Sequence, residues 1–311
     1  MRQWYSRSVV KKCLAVLLLA ALSFTLINSS QAEKKTASRQ IPVTLQKRVK
    51  DDSGKYQVVR KQVDWKPEET AIIVCDMWDD HTCKQAAQRV AEMAPAMNET
   101  LKAAREQGVF IIHAPSGRMN FYAETPQRQR AINAPFVKAP LDFKWKYWND
   151  DKEGQPLDFV RAGGCGCKVP CKGWVPDETG LRHWKGDKIP WTRQIKTIEI
   201  ADEDAISDNG QEVYNLLEQR GIQNVVLMGV HTNLCVCGRP FGLRQMVYQG
   251  KNAVLCRDLT DSLFQQKEPP ISHFRGTELV VEHIEKRICP TITSTTFTGK
   301  SPFRFDESAT H

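Results

Sequence analysis

Beyond residue 28 the chain has no apolar run long enough to cross a bilayer, so no membrane-spanning body is expected. It also lacks an excess of charge of one sign. Lys and Arg number 44 against 36 Asp and Glu, well mixed, and four of the cations (Arg2, Arg7, Lys11 and Lys12) crowd the extreme N-terminus. The remaining 40 against 36 form no basic footprint, which argues against a nucleic-acid partner. No internal repeat is present. Paired C-x-x-C spacing, the usual framework of a zinc site, is missing as well. No cofactor and no metal are therefore expected.

What the N-terminus does contain is a leader. The four cations precede CLAVLLLAALSFTLIN at 13–28, and Ser30-Gln31-Ala32 offers a small-x-small cleavage site ahead of Glu33. About 16 apolar residues is short for a span, and Cys13 opens the run rather than closing it, as a lipoprotein site would not. Residues 1–32 are expected to be a secretory signal peptide, giving a secreted or periplasmic protein with no membrane contact after cleavage.

Ten cysteines, one of them Cys13, leave nine in such a mature chain. In an oxidising compartment disulfides are expected in preference to metal. The tightest group is Cys165-Gly-Cys167-Lys-Val-Pro-Cys171, with Cys83 as a distant partner. Cys75 and Cys256 end apolar runs and read as free core thiols; Cys237 is expected on a buried helical face.

Periodicity gives one α/β domain at 67–295, preceded by a β-hairpin arm at 33–66 turning at Asp51-Asp-Ser-Gly, and followed by a loosely ordered tail at 296–311. Buried strands are expected at 71–75, 109–113, 197–200, 225–229, 252–256 and 291–293. Helices are expected at 84–107, 208–219, 236–249 and 277–287. Repeated strand–helix units imply a three-layer sandwich, a mostly parallel sheet flanked by helices on both faces. Residues 115–193 show no clear elements and carry Trp145, Tyr147, Trp148, Trp174, Trp184 and Trp191, the pattern of a functional insertion.

The segment VVLMGVHTNLCVCGRPF at 225–241 carries the chemistry. An apolar strand breaks at Gly229, and Cys235 follows where a helix can begin. Open α/β sheets bind ligands at such strand ends, and a helix N-terminus favours thiolate over thiol. A small buried cysteine fits the position equally well.

GVHTNLCV resembles the nucleophile motif of the isochorismatase-like cysteine hydrolases, which include nicotinamidases and N-carbamoylsarcosine amidases. Upstream, AIIVCDMWDD resembles the family's first strand, ending in its catalytic aspartate. The matches cover roughly 70–115 and 195–295. The resemblance implies Cys235 as nucleophile and Asp76 as the acid and base. It also implies backbone N–H groups of His231 and Cys235 as oxyanion donors, and a cis peptide between Val230 and His231. Asp76 as a plain loop cap is the alternative. The family's lysine has no clean counterpart. Lys196 is the nearest candidate, with Arg193 close by, and its position also fits a solvated strand-edge charge.

Trp78, His113 and His231 are candidate pocket residues; Trp78 equally fits a shield over the strand end, and for His113 a satisfied core histidine is the commoner case. Asp79, Asp80 and His81 make a weaker metal candidate, and Arg239 and Arg244 read as surface charges or contacts to a partner or an acidic substrate. The expected activity is hydrolysis of a C–N amide or related bond in a small molecule through a thioester on Cys235. Vinyl-ether hydrolysis of the isochorismatase type and an inactive scaffold on the same fold are the alternatives. Relatives often self-associate, so a homo-oligomer is expected.

Overall fold

The computed structural model describes residues 40–145, 150–153, 164–265 and 271–306. The leader at 1–32, the first residues of the arm, Tyr147, Trp148 and the end of the tail lie outside them. Ten strands and seven short or long helices follow in order: β1 Ile41–Lys50, β2 Tyr56–Trp65, β3 Thr70–Cys75, α1 Lys84–Gln107, β4 Phe110–Ala114, α2 Pro126–Ile132, α3 Asp150–Glu153, β5 Trp174–Pro176, β6 Arg182–Trp184, β7 Ala205–Ile206, α4 Gly210–Gln219, β8 Asn224–Val230, α5 Leu243–Tyr248, β9 Asn252–Asp261, α6 His273–Arg287, β10 Thr291–Ile292 and α7 Thr295–Thr298.

Eight strands form one sheet in the order β2-β1-β10-β9-β8-β3-β4-β7. From β10 to β7 every pairing is parallel, and β1 and β2 add an antiparallel edge. β3, TAIIVC, is buried at every position because helices cover both of its faces, which is why it reads as a continuous apolar run rather than an alternating one. On one face α1 presents Met93, Met97 and Leu101 to Ile72, Val74 and Ile111. On the other, Leu216 of α4, Met246 of α5 and Ile284 of α6 pack on Ile73, Val225 and Leu227. The architecture is thus the three-layer α/β sandwich with a mostly parallel sheet.

α1 forms because its apolar residues recur every three or four positions, and it stops at Gly108, whose φ of 98° allows its N–H to reach Ala104 O and Arg105 O. Among the described residues, no helix is long and apolar enough to cross a membrane.

Four sequence expectations are corrected. No strand forms at 197–200: Asn98 accepts the Glu199 N–H at 2.9 Å and Arg105 donates to the Glu199 carbonyl at 3.0 Å, so the acidic stretch lies as a loop across α1, and the edge strand is β7 instead. The helix expected at 236–249 is divided into a π turn at Thr232–Val236 and α5, with Pro240 between them. The tail is docked rather than loose as far as Asp306: Phe303 and Phe305 pack on the core, and the Phe303 N–H donates to Asp258 at 3.0 Å. The nine described cysteines are all free, so the expected disulfides are absent among them.

Candidate active site

β3 and β8 are neighbours, with Cys75 directly opposite Gly229 at their carboxyl ends. A Cβ on Gly229 would lie 2.1 Å from the Cys75 carbonyl oxygen, and its φ is 109°, so no other residue lets the two strand ends approach this closely. The approach brings together the residue after β3, Asp76, and the turn after β8 that carries Cys235.

Asp76 is buried and has φ 51°, the single positive-φ non-glycine among the described residues. Aspartate tolerates this left-handed conformation better than most side chains. Its N–H donates to Ala114 O of β4 at 3.1 Å, and its Oδ1 accepts the Ser116 N–H at 2.8 Å. Oδ2 faces the Arg239 guanidinium, with Nη2 at 3.3 Å and Nε at 3.4 Å. The Cys235 thiol lies near enough to the same carboxylate for each to shift the other's ionisation.

Burial raises the Asp76 carboxyl above its ordinary range, opposed chiefly by the Arg239 charge. Burial also pushes the Cys235 thiol well up, reinforced by the Asp76 charge and opposed by Arg239. The expectation of a thiolate stabilised at a helix N-terminus is therefore reversed. The turn holding Cys235 is only five residues long, too little helix to offset desolvation beside a carboxylate. Burial and the Asp76 charge thus favour the neutral thiol, while Arg239 favours the ionised carboxylate.

The Val230–His231 peptide is cis, and the His231 N–H points to the Cys235 sulfur. The ring of His231 is buried and its protonation is strongly disfavoured, first by burial and then by His81.

Lys196 is not brought into this site. It is exposed on a turn at 196–198, and the cation beside Asp76 is Arg239. Arg239 follows Cys235 by one helical turn, its N–H donating to the Cys235 carbonyl at 2.9 Å. Its guanidinium lies close to Cys235 and 4.7 Å from the ring centre of Trp145 in the insertion. The i, i+4 spacing from the nucleophile is the sequence signal that would have found it.

Trp78 and His231 do enter the site's surroundings. Trp78 stacks on Trp191 with centroids 4.4 Å apart; His81 stacks on Trp191 at 5.4 Å and meets the edge of His231 at 4.8 Å. Trp78 Nε1, Trp191 Nε1 and His231 Nε2 are buried without hydrogen-bond partners among the described residues. The insertion thus contributes one wall through Trp191 and Trp145.

His113 does not act as a pocket residue. Its ring is fully buried between Gln194 Oε1 at 3.0 Å and Asp204 Oδ2 at 2.9 Å. The weaker metal candidates are dispersed: Asp79 accepts from Thr192 at 2.7 Å, Asp80 pairs with Lys84 at 2.6 Å, and His81 Nδ1 accepts the Cys83 N–H at 3.0 Å. Arg244 is no surface charge. It forms a buried bidentate pair with Glu153 at 2.6 and 2.9 Å. A cleft of about 600 Å³ elsewhere, lined by Arg48, Arg257, Phe274 and Phe303, includes neither Asp76 nor Cys235.

No protein-family model matches the chain, and no curated protein matches it. Solved structures do resemble it. A cysteine hydrolase from Pseudomonas syringae pv. phaseolicola is 14% identical, covering 74% of this chain and 91% of its own, with a TM-score of 0.42. An isochorismatase family protein from Burkholderia thailandensis is 14% identical over 75% of this chain and 95% of its own, TM-score 0.41. An N-carbamoylsarcosine amidase from Thermoplasma acidophilum is 14% identical over 73% of this chain and 96% of its own, TM-score 0.36.

Proposed function

We propose that the protein is an isochorismatase-like cysteine hydrolase that cleaves a C–N amide or related bond of a small molecule through a thioester on Cys235. The observation that carries this is the three-way contact of the Cys235 thiol, the Asp76 carboxylate and the Arg239 guanidinium at adjoining strand ends.

A neutral thiol attacks poorly unless its proton leaves as the new bond forms. Asp76 sits where it can take that proton, and its raised affinity for protons suits it to the task. The sulfur bonds to the carbonyl carbon, and the resulting oxyanion is held by the N–H groups of His231 and Cys235. Asp76 then delivers the proton to the leaving nitrogen, the C–N bond breaks, and the acyl group remains on sulfur. Water attacks the thioester, its proton passing through Asp76 back to the departing sulfur. Arg239 favours the ionised Asp76 in its buried setting before attack and again once the proton has passed to the leaving nitrogen. Trp78 and Trp191 supply an aromatic wall with buried N–H groups able to donate to a polar substrate. An arginine in the cation's place also weakens the case for an inactive scaffold, which rested on the missing lysine.

The test is a panel of small primary and secondary amides assayed for released ammonia or amine, with Cys235→Ala and Asp76→Asn beside the wild type. Turnover of at least one amide by the wild type, abolished in both variants, is expected. Turnover that survives Cys235→Ala would point instead to hydrolysis without covalent attack, as for a vinyl ether. Export is proposed on the leader alone: the intact mass of the secreted chain is expected to begin after Ala32. Self-association is proposed likewise, to be read by light scattering.

A further inference from the structure

The disulfide expectation failed in an informative way. Cys83, Cys165 and Cys167 place their sulfur atoms within 4.8 Å of one another, although they come from the start of α1 and from the insertion. Cys83 and Cys167 sulfurs are 3.6 Å apart, and Cys171 Sγ lies 3.3 Å from Cys167 Sγ. Two disulfides would bring sulfurs together in pairs. Instead one sulfur has several sulfur neighbours, at separations close to the edge of a tetrahedron with metal–sulfur bonds of about 2.3 Å, which is roughly 3.8 Å.

We propose that Cys83, Cys165, Cys167 and Cys171 bind one zinc ion as a structural tetrathiolate centre.

The surroundings are built for a cluster of this charge. Backbone N–H groups approach the sulfurs: that of Lys84 donates to Cys171 at 3.4 Å, and those of Cys167 and Cys171 lie near Cys165. Cys83 is the N-cap of the 24-residue α1, so the positive end of that helix faces the centre. Gly166 leaves room for the loop between two of the ligands, since a Cβ there would lie 2.8 Å from the Phe264 carbonyl oxygen. Arg182 of β6 donates to the carbonyls of Cys165 and Cys167 and fixes the loop from outside. Trp174, Leu263 and Ala86 enclose the sulfurs in an apolar shell.

Three of the sulfurs are already mutually close and Cys171, 3.3 Å from Cys167, supplies the fourth; four soft thiolates closing a tetrahedron would select zinc and leave no position for water. On binding, the four thiols release four protons and the centre carries a net charge of −2. Its place in the fold gives it a purpose. It ties the 164–184 loop of the insertion to the N-terminus of α1, and Leu234, the residue before Cys235, packs against the same cluster.

The protein is purified from its expressed full-length chain without chelator or added metal. Zinc per chain is measured by plasma mass spectrometry, and cysteines are mapped by alkylation in denaturant with EDTA. One zinc per chain and alkylation of all four cysteines are expected. Cys167→Ser is expected to lower bound zinc at least tenfold, while Cys256→Ser, outside the cluster, keeps it. Should Cys167→Ser not fold, exchange of the wild-type protein with Co²⁺ replaces it, with the visible and sulfur-to-metal absorption of tetrahedral thiolate cobalt as the expected signature. Peptides joining any two of the four cysteines, a chain that neither carries zinc nor takes it up after reduction, or iron in its place would overturn the proposal.

Discussion

The guanidinium of Arg239 reaches Asp76 Oδ2 at 3.3 Å from the same turn of backbone that carries Cys235. Nucleophile and cation are thereby fixed to one another by a single helical turn, and only the carboxylate has to be brought in from another strand. Exchange of Arg239 for Gln is expected to lower kcat/KM by about 10²-fold or more, with Arg239→Lys recovering part of the loss, because the contribution is chiefly charge. Amide turnover by the two variants at one pH checks this. Equal loss in both would assign Arg239 to shape rather than charge.

The pH dependence follows from the direction of each shift. Asp76 must be ionised to accept the thiol proton, and burial raises its carboxyl above the ordinary 3.8. The acid limb of kcat/KM is therefore expected above that value. Cys235 must be protonated in the resting pair, and its thiol is pushed well above 9.0. The rate is expected to hold level through neutrality into alkaline pH. A rate that falls with rising pH from a point below pH 8 would contradict this assignment of proton positions.

Gly229 is the hinge of the geometry. Gly229→Ala forces a methyl group into the Cys75 carbonyl at 2.1 Å while holding φ 109°. A loss of at least about 3 kcal/mol is expected from overlap and backbone strain together. Urea unfolding of the variant measures it, and near-wild-type stability would mean the strand ends can separate.

Behind the site Asp261 is buried, with Arg89 at 2.8 Å, and accepts from His273 at 2.6 Å. Although burial works against it, the Arg89 charge and the contact with His273 hold the Asp261 carboxyl well below its ordinary range. A carboxyl depressed in the folded state stabilises the fold above its unfolded value of about 3.9 and loses that contribution as pH falls toward the folded value. Asp261→Asn is expected to cost about 3–5 kcal/mol at pH 7, by leaving Arg89 buried without its counter-charge. The deficit relative to wild type is expected to shrink at pH 3. Unfolding curves at both pH values decide it, and a constant deficit would show that shape, not charge, is responsible.

The two ends of the active site were legible because each is written locally. TAIIVC followed by Asp76, and VVLMGV followed by a turn to Cys235, announce buried strands with polar termini, and parallel strands align such termini along one edge. The cation was not legible by the same route. Lys196 is the nearest lysine, just before an expected strand at 197–200, and fits a solvated edge charge equally well; Asn98 and Arg105 hold that backbone as a loop, and no periodicity predicts tertiary capping of this kind. Arg239 could have been found only by asking what lies one helical turn beyond the nucleophile. His113 stands on the functional edge but is the satisfied core histidine, and its two polar neighbours, Gln194 and Asp204, arrive from sequence far away. The meeting of Cys83 with the insertion cysteines was legible, although they meet as free thiols and not as a disulfide.

The most direct test of the site is the rate of Cys235 alkylation by iodoacetamide against pH, with the adduct located by peptide mass spectrometry in the wild type and in Asp76→Asn. Removing the Asp76 charge takes away a cause that raises the thiol, so the account predicts a midpoint above the free-thiol value of about 8.5 in the wild type and a lower one in the variant. A wild-type Cys235 that alkylates freely at pH 6–7, or a midpoint indifferent to Asp76, would contradict it.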